Sequence, residues 1–597
     1  MEKKRILGLL TMATVATLTL AACGSGGDKG KDKGKDNAET ATEDVSKFPI
    51  VASNTDKPIE GGTLDVAVVT DTQFKGLFLW ELYQDAYDDH FMRPSHETLF
   101  STDEDFVITN DGPVKMDLDQ DKNLVTLTLN KDIKWSDGEK LSVDDIMYSY
   151  EIIGHKDYTG IRYDETFTNI IGMDDYHAGK SDTISGIKKV DDKTVTIEYK
   201  EVSPTMLQAG GGVWSYAAPK HVLKDIPVKD LESSDAVRKT PVTFGPYKMS
   251  KITPGESVEY TPNEHYYGEK PKLEKIVFSS VPDASIVEAL KAKKYDMVLS
   301  MSTDTYPTYK DLEGYEVLGR EQMSYTYLGF KLGKWDKESN SVKMDENSKM
   351  ADKSLRQAMG YAVDNDVVGE KFYNGLRSNA STLIPPVFKS FHNDKAEGYT
   401  QDQEKAKKLL ADAGYKDTDD DGFVEDKEGK PLVIKFASMS GGETAQPLAD
   451  YYMQEWKAIG LNVELSTGRL IDFQAFYDKL ENDDPEIDIY QGAWSTGSDP
   501  SPSGLYGRTS PFNYSRFASE ENDQMLKDIN SKKSFDPEFR KKAFDDWQEY
   551  AVEEAFVIPT LYRNETMPLN TRVTGWDWHQ TLNDNPWASI GVTAEKR

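Results

Sequence analysis

Past residue 60 the chain alternates β-type and helical patterns of apolar and polar residues, with no obvious short repeat. "GGTLDVAVVTD" (61–71) reads as a first strand. In "NLVTLTLNKDIKWSDGEKLSVDDIMYSYEII" (123–153) Val125, Leu127 and Leu129 alternate with polar residues, the period-2 signature of a half-buried strand. Asp137-Gly138 then makes a turn, and Ser142-x-x-Asp145 is a variant capping box that opens a helix. "ISGIKKVDDKTVTIEYK" (184–200) predicts a hairpin around Asp191-Asp192-Lys193, with Val195 and Ile197 facing inward. "MSYTYLGFKL" (323–332) and "AFVIPTLYRN" (555–564) are apolar and aromatic β runs.

The N-terminus follows another pattern. Lys3, Lys4 and Arg5 precede an apolar and Thr-rich run from Ile6 to Leu20, and small residues Ala21-Ala22 follow, which together describe an export signal. The run is too short for a comfortable membrane span, and no later segment approaches the roughly 20 apolar residues a span needs. Cys23, the only cysteine in 597 residues, stands where this run ends. A lone cysteine excludes an intrachain disulfide framework and any Cys-based zinc spacing. Leu20-Ala21-Ala22-Cys23 resembles the bacterial lipobox, in which the cysteine is lipidated and becomes the first residue after cleavage. Residues 24–47, "GSGGDKGKDKGKDNAETATEDVSK", carry almost no apolar side chain and read as a flexible tether.

Composition narrows what the tethered body does. About 600 residues suggest several domains, and 38% hydrophobic residues with 31 Tyr, 23 Phe and 10 Trp describe a folded chain rich in aromatics. Removal of residues 1–22 takes three basic and one acidic side chain from totals of 71 and 103, leaving a formal charge of −34. A body this acidic argues against nucleic acid and against docking on anionic lipid through a basic patch.

Several motifs, in order, then resemble one family. "LTLNKDIKWSDGEKLSVDDIMYSYE" has its strand, Lys-aromatic pair, Asp-Gly and capped helix start. "TPVTFGPYKMSKITPGESVEYTPNEHYYGEKPKLEKIVF" (240–278), "SLRQAMGYAVDNDVV" (354–368), "AKKLLADAGYKDTDDDGFVED" (406–426) and "FNYSRFASEENDQML" (512–526) follow. Over residues 60–565 the chain resembles the peptide/nickel-type (family 5) extracellular solute-binding proteins of ABC importers, and is most similar to the oligopeptide-binding lipoproteins of Gram-positive bacteria. Phe244 stands where the family more often has Gly.

The resemblance implies an α/β, two-lobed periplasmic-binding-protein-like fold with two hinge strands and an extra subdomain in the first lobe. Mapped here, 1–22 is the lipoprotein signal and 23–47 the lipid anchor and tether. Lobe I is 48–80, 230–320 and 556–597, interrupted by the subdomain 81–229, and lobe II is 321–555. The runs 323–332 and 555–564 are then the hinge strands. The implied partners are oligopeptides, the permease subunits of an ABC importer with cytoplasmic ATPases, and the membrane through lipidated Cys23. The chain is expected to be a monomer on the extracellular face of a Gram-positive-type cell membrane.

A carrier of varied peptides should hold what all peptides share, the main chain and the α-amino group. "YQGAWSTGSDPSPSGLYG" (490–507) suits this, with Trp494, the flexible run Ser495-Thr496-Gly497-Ser498, and Asp499 before Pro500. The resemblance places the amine-binding carboxylate in this loop, and Asp499 is the candidate. Many peptide-binding members carry an Asp three residues before the Asp/Glu-Pro pair, and Thr496 occupies that place here. Asp499 has a second reading, as the residue that shapes a turn before Pro500. Trp214, in the Gly-rich "AGGGVWSYAAPKH", is either a pocket wall or a core residue, and Tyr325 and Tyr327 either face the cleft or pack within a strand.

"DTDDDGFVEDKE" (417–428) matches the twelve-residue calcium loop. Its ligands would be Asp417, Asp419, Asp421, the Phe423 carbonyl, Glu425 and Glu428, with Gly422 at the sharp turn. The segment after Glu428 looks like a strand instead of a second helix, and an acidic Asp-Gly turn is equally an ordinary surface feature. No cofactor is required, and any calcium would be structural.

Against an enzyme, His96-Glu97-Thr98-Leu99-Phe100 fails HExxH at its last position, and neither GxSxG nor a P-loop occurs. The function the resemblance implies is capture of oligopeptides for import. A sensor of one peptide pheromone and a carrier of a non-peptide solute, such as a nickel chelate, haem or oligosaccharide, remain the alternatives.

Overall fold

The computed structural model describes residues 47–84, 86–581 and 585–597. The export signal, Cys23 and nearly all of the tether lie outside the described residues. Among those described, no helix is long and apolar enough to cross a membrane.

The first strand, Thr63–Val69 (β1), enters an 11-stranded sheet and is followed by the helix Ala86–Met92 (α1). A separate four-stranded antiparallel sheet comes next. Its strands are Val114–Asp119 (β2), Leu124–Leu129 (β3), Ile187–Lys189 (β4) and Thr194–Glu198 (β5), in the order β2-β3-β5-β4. The alternation of Val125, Leu127 and Leu129 turns these side chains onto the helix Val143–Gly154 (α2), and Val195 and Ile197 are fully buried beside them. At the start of α2 the capping box closes in both directions: the Asp144 amide donates to Ser142 Oγ at 3.2 Å and the Ser142 amide to Asp145 Oδ2 at 2.8 Å. Gly138 turns the chain at φ +96°, the left-handed conformation its Asp-Gly turn requires.

The chain then returns to the large sheet as Tyr247–Thr253 (β6), Ser257–Pro262 (β7), Lys275–Val281 (β8) and Met297–Leu299 (β9). The 16-residue strand Tyr315–Phe330 (β10) leads into a second half: the helix Asn365–Tyr373 (α3), Arg377–Asn379 (β11), Val433–Ala437 (β12), the helix Ala445–Ala458 (α4), Asn462–Leu465 (β13), the helix Phe473–Glu481 (α5) and Ile489–Ser495 (β14). The helix Pro537–Glu554 (α6) precedes Val557–Asn570 (β15). The sheet order is β13-β12-β14-β10-β15-β9-β1-β8-β7-β6, with β11 on β15.

Each half is built around parallel strands, β1 with β8 and β9 in one and β12 with β13 and β14 in the other. The antiparallel pair β10/β15 joins them. Its register shifts between Glu321 and Tyr325, and the cores separate there. Leu318, Met567 and Leu569 pack into the first core, whereas Tyr325, Tyr327, Val557 and Leu561 pack into the second.

Two expected boundaries move. Residues 556–562 belong to the second core instead of lobe I, because the β15 strand crosses only after Tyr562. Phe91 and Met92 of α1, expected in the inserted subdomain, pack with Trp80, Phe278 and Trp587 in the first core, because the helix presents that apolar face to β8.

Candidate ligand-binding cleft

In open α/β sheets ligands lie beyond the carboxyl ends of the parallel strands. Here those ends, after β9 in one half and after β12 and β14 in the other, face each other. The halves touch through Thr444 Oγ1, which donates to Asp304 Oδ2 at 3.1 Å, and through Asn374 Nδ2, which donates to the Thr303 carbonyl at 3.2 Å. The four-stranded subdomain meets the second half through Ser498 Oγ to the Ala209 carbonyl (2.5 Å), Arg540 to Gln208 (2.8 Å), Ser390 to Asp105 (2.8 Å) and the Phe106 and Phe388 rings (5.5 Å).

Arg93 retains 51% of its side-chain surface, yet burial opposes its charge and Asp89, 2.9 Å away, sustains it. His90 on α1 bonds Ser300 at 2.9 Å, and Arg320 pairs with Glu565 at 2.6 Å on the strands that join the halves.

The loop after β14 carries the expected peptide-binding run. Trp494 is half-buried at the strand end, stacked on Tyr514 at 5.5 Å and parallel to Tyr327 at 6.4 Å, with the exposed Phe512 at its edge (5.8 Å). Ser495 is the last residue of β14, opposite Ser324, and is exposed. Thr496 extends that ladder, its amide donating to the Met323 carbonyl at 2.9 Å. Gly497 turns the chain at φ +65° with nothing near its missing Cβ, and Ser498 anchors the loop to the subdomain.

Asp499 shapes the turn with one oxygen and leaves the other uncommitted. Oδ1 accepts the Ser501 amide at 3.0 Å, shaping the turn before Pro500. Oδ2 accepts no hydrogen bond among the described residues. Burial pushes the carboxyl above its ordinary range, and the guanidinium of Arg540 pulls back against that. A desolvated carboxylate with one free oxygen suits an ammonium ligand.

Three other expectations change. Tyr325 and Tyr327 are 0% and 1% exposed in the core of the second half, with the Tyr325 hydroxyl on that of Tyr506 at 2.7 Å. They pack because the residues of β10 beyond Ser324 lie between β14 and β15 with helices over both faces. Trp214 is no free platform either: its Nε1 donates to the buried Glu81 at 3.1 Å and its ring packs edge-on against Phe167 and Tyr216. Of the expected calcium ligands only Asp417, Asp419 and Glu425 converge, with ligand atoms within 4.8 Å of one another. Asp421 instead accepts the Phe423 amide at 2.8 Å, and Glu428 sits in the next turn, its amide bound to Asp426 at 2.9 Å. The strand-like continuation after Glu428, with no second helix, carries that carboxylate away.

Sequence reading missed Arg93, Arg320, Arg377, Arg540 and Arg563. One signal was present: "YRNE" (562–565) puts charges inside an otherwise apolar strand.

Two α/β halves joined by a long antiparallel strand pair define a protein of the periplasmic-binding-protein-like class. Residues 114–516 match the bacterial extracellular solute-binding proteins, family 5 Middle. The chain belongs to this family of extracellular solute-binding proteins. It is 36% identical over 610 residues to the oligopeptide-binding protein OppA of Lactococcus lactis subsp. lactis (strain IL1403), covering 100% of this chain and 99% of that protein. The oligopeptide-binding protein AppA of Bacillus subtilis (strain 168) is 24% identical over 467 residues, 76% of this chain and 77% of that one. Among solved structures, lactococcal OppA complexed with an endogenous peptide in the closed conformation superposes with a TM-score of 0.81 at 38% identity, covering 89% of this chain and 100% of that one.

Proposed function

We propose that this protein is a lipid-anchored extracellular receptor that captures oligopeptides between its two halves and delivers them to an ABC importer. The observation that carries the reading is the β14 loop. It spans from one half to the subdomain and holds a desolvated carboxylate, Asp499, with one oxygen uncommitted. The full-length likeness to proteins named for oligopeptide binding supports it.

Asp499 meets the peptide α-amino group, and Trp494 with residues 495–498 borders the bound main chain. The β10/β15 pair is the hinge, flexing where its register shifts between Glu321 and Tyr325. Cys23 carries the lipid, the tether gives the body reach above the membrane, and the permease receives it as a monomer. The chain performs no catalysis. A structural calcium ion rests on Asp417, Asp419 and Glu425 and stiffens the loop before β12.

The test is native mass spectrometry of the protein purified from peptide-rich medium, with ejected ligands sequenced. A ladder of varied peptides is the expected result. A single peptide sequence would make the protein a sensor, and a non-peptide mass would overturn the peptide reading.

A further inference from the structure

Arg377 on β11 and Arg563 on β15 are direct partners in an antiparallel ladder. Like charges directly opposite each other repel, and such pairs are ordinarily selected against. Neither guanidinium makes a hydrogen bond or ion pair among the described residues, and Arg377 Nε is buried without an acceptor. Of the nearby acids, Glu565 is committed to Arg320 at 2.6 Å and Asp304 to the hydroxyls of Ser302 and Thr444, while Glu321 is exposed at the rim and pairs with neither arginine. The Tyr373 ring lies 3.6 Å from the Arg377 guanidinium and holds it in place. Arg563 borders a small cavity with Glu321, Gln322 and Asn564, where β10 and β15 pass between the halves. Burial pushes Arg563 down to about 10, with Arg377 adding to the shift, and burial lowers Arg377 as well.

Two desolvated, uncompensated guanidiniums at the junction of a ligand cleft are expensive without an anion to receive. Their planar forks match the two oxygens of a carboxylate. We propose that Arg377 and Arg563 together bind a carboxylate of the captured peptide, which makes them a specificity-determining pair opposite in charge to Asp499. The proposal rests on the peptide reading of the cleft. The carboxylate comes either from the peptide C-terminus or from an acidic side chain.

The experiment is calorimetric titration of the purified protein with three synthetic hexapeptides that have free amino termini. One is non-acidic with a free C-terminus, the second is its C-terminal amide, and the third is an amide carrying one glutamate. The proteins are wild type, Arg377→Gln/Arg563→Gln and Arg563→Lys. For a C-terminal contact, wild type binds the free acid about tenfold or more tighter than the plain amide, and the double variant removes that ratio without weakening the amide. For a side-chain contact, the ratio appears between the two amides instead. Arg563→Lys, which keeps the charge without the fork, retains part of it. Equal weakening of all three peptides, or wild-type affinities that do not differ, overturns the proposal while leaving the peptide reading intact. Wild type that binds none of the three overturns both. Thermal unfolding without peptide separates misfolding from lost recognition, because removal of an uncompensated buried charge leaves the melting temperature equal to or above that of wild type.

Discussion

Two arginines on the long strand and its continuation, nine residues apart, sit in opposite circumstances. Arg572 is 7% exposed and meets Asp296, itself fully buried, through both its Nε and Nη2 at 2.7 and 2.8 Å. Arg597 adds bonds of 2.7 and 2.6 Å to the same carboxylate, and the Asp65 amide completes it at 2.9 Å. Burial alone would raise Asp296, but these donors hold it below its ordinary range. Arg563 lies opposite another arginine, and neither makes an ion pair with a carboxylate among the described residues. The first cluster is internally complete and fixes β1, β9 and the end of β15 to one another. The second is complete only with a ligand. Hydrogen-bond saturation, more than burial, separates an ionic group that holds the fold from one held ready for function.

The comparison breaks most visibly at Asp296. Arg572→Gln is expected to destabilise the protein by about 3 kcal/mol or more, because it removes part of the compensation of a buried charge, as read from chemical denaturation. A loss under about 1 kcal/mol would place Arg572 in the same class as Arg563.

The first half also contains a neutral buried group that pH can probe. Burial pushes the His96 imidazole down to about 4 from the ordinary 6.5. Between those values the unfolded chain takes up the proton first, so stability is fully present above pH 6.5 and lost as pH falls toward 4. The loss is about 3 kcal/mol, and His96→Gln is expected to flatten that part of the stability profile.

Asp499 sharpens the contrast from the ligand side. Asp499→Asn is expected to weaken ordinary peptides by about 2 kcal/mol while N-acetylated peptides change little, as read by titration calorimetry. Because the carboxyl of the free protein is raised, wild-type affinity for unblocked peptides falls on acidification before a normal carboxylate would titrate, and the Asn variant lacks that dependence.

Arg563→Gln gives a smaller effect of opposite sign to Arg572→Gln: the ligand-free protein gains up to about 1 kcal/mol, visible as a higher melting temperature. Chelation comes last. With only Asp417, Asp419 and Glu425 converging, calcium addition or removal is expected to shift the midpoint by no more than a few degrees, about 1 kcal/mol. Asp419→Asn should abolish whatever shift is seen.

Local physics made much of this chain readable from sequence. The β3 strand, the Ser142 cap and the 191–193 turn each depend on residues within one or two turns of each other, so periodicity and capping chemistry disclose them. The family signature was legible because its motifs are such local units in a fixed order. The loop after β14 was legible as composition, but the bond from the Ser501 amide to one oxygen of Asp499, with the other left uncommitted, was not.

The sequence alone therefore determined many of the elements and the class of protein. Tertiary structure decided which aromatics were core and which were wall. Tyr325 and Tyr327 alternate like cleft residues, yet a strand between two others with helices over both faces has no solvent-facing side. It also decided that Asp417, Asp419 and Glu425 converge without Glu428, and that Arg377 lies opposite Arg563 across 186 positions of sequence. Charge compensation depends on distances in space between segments far apart in the chain, and no local pattern encodes those distances.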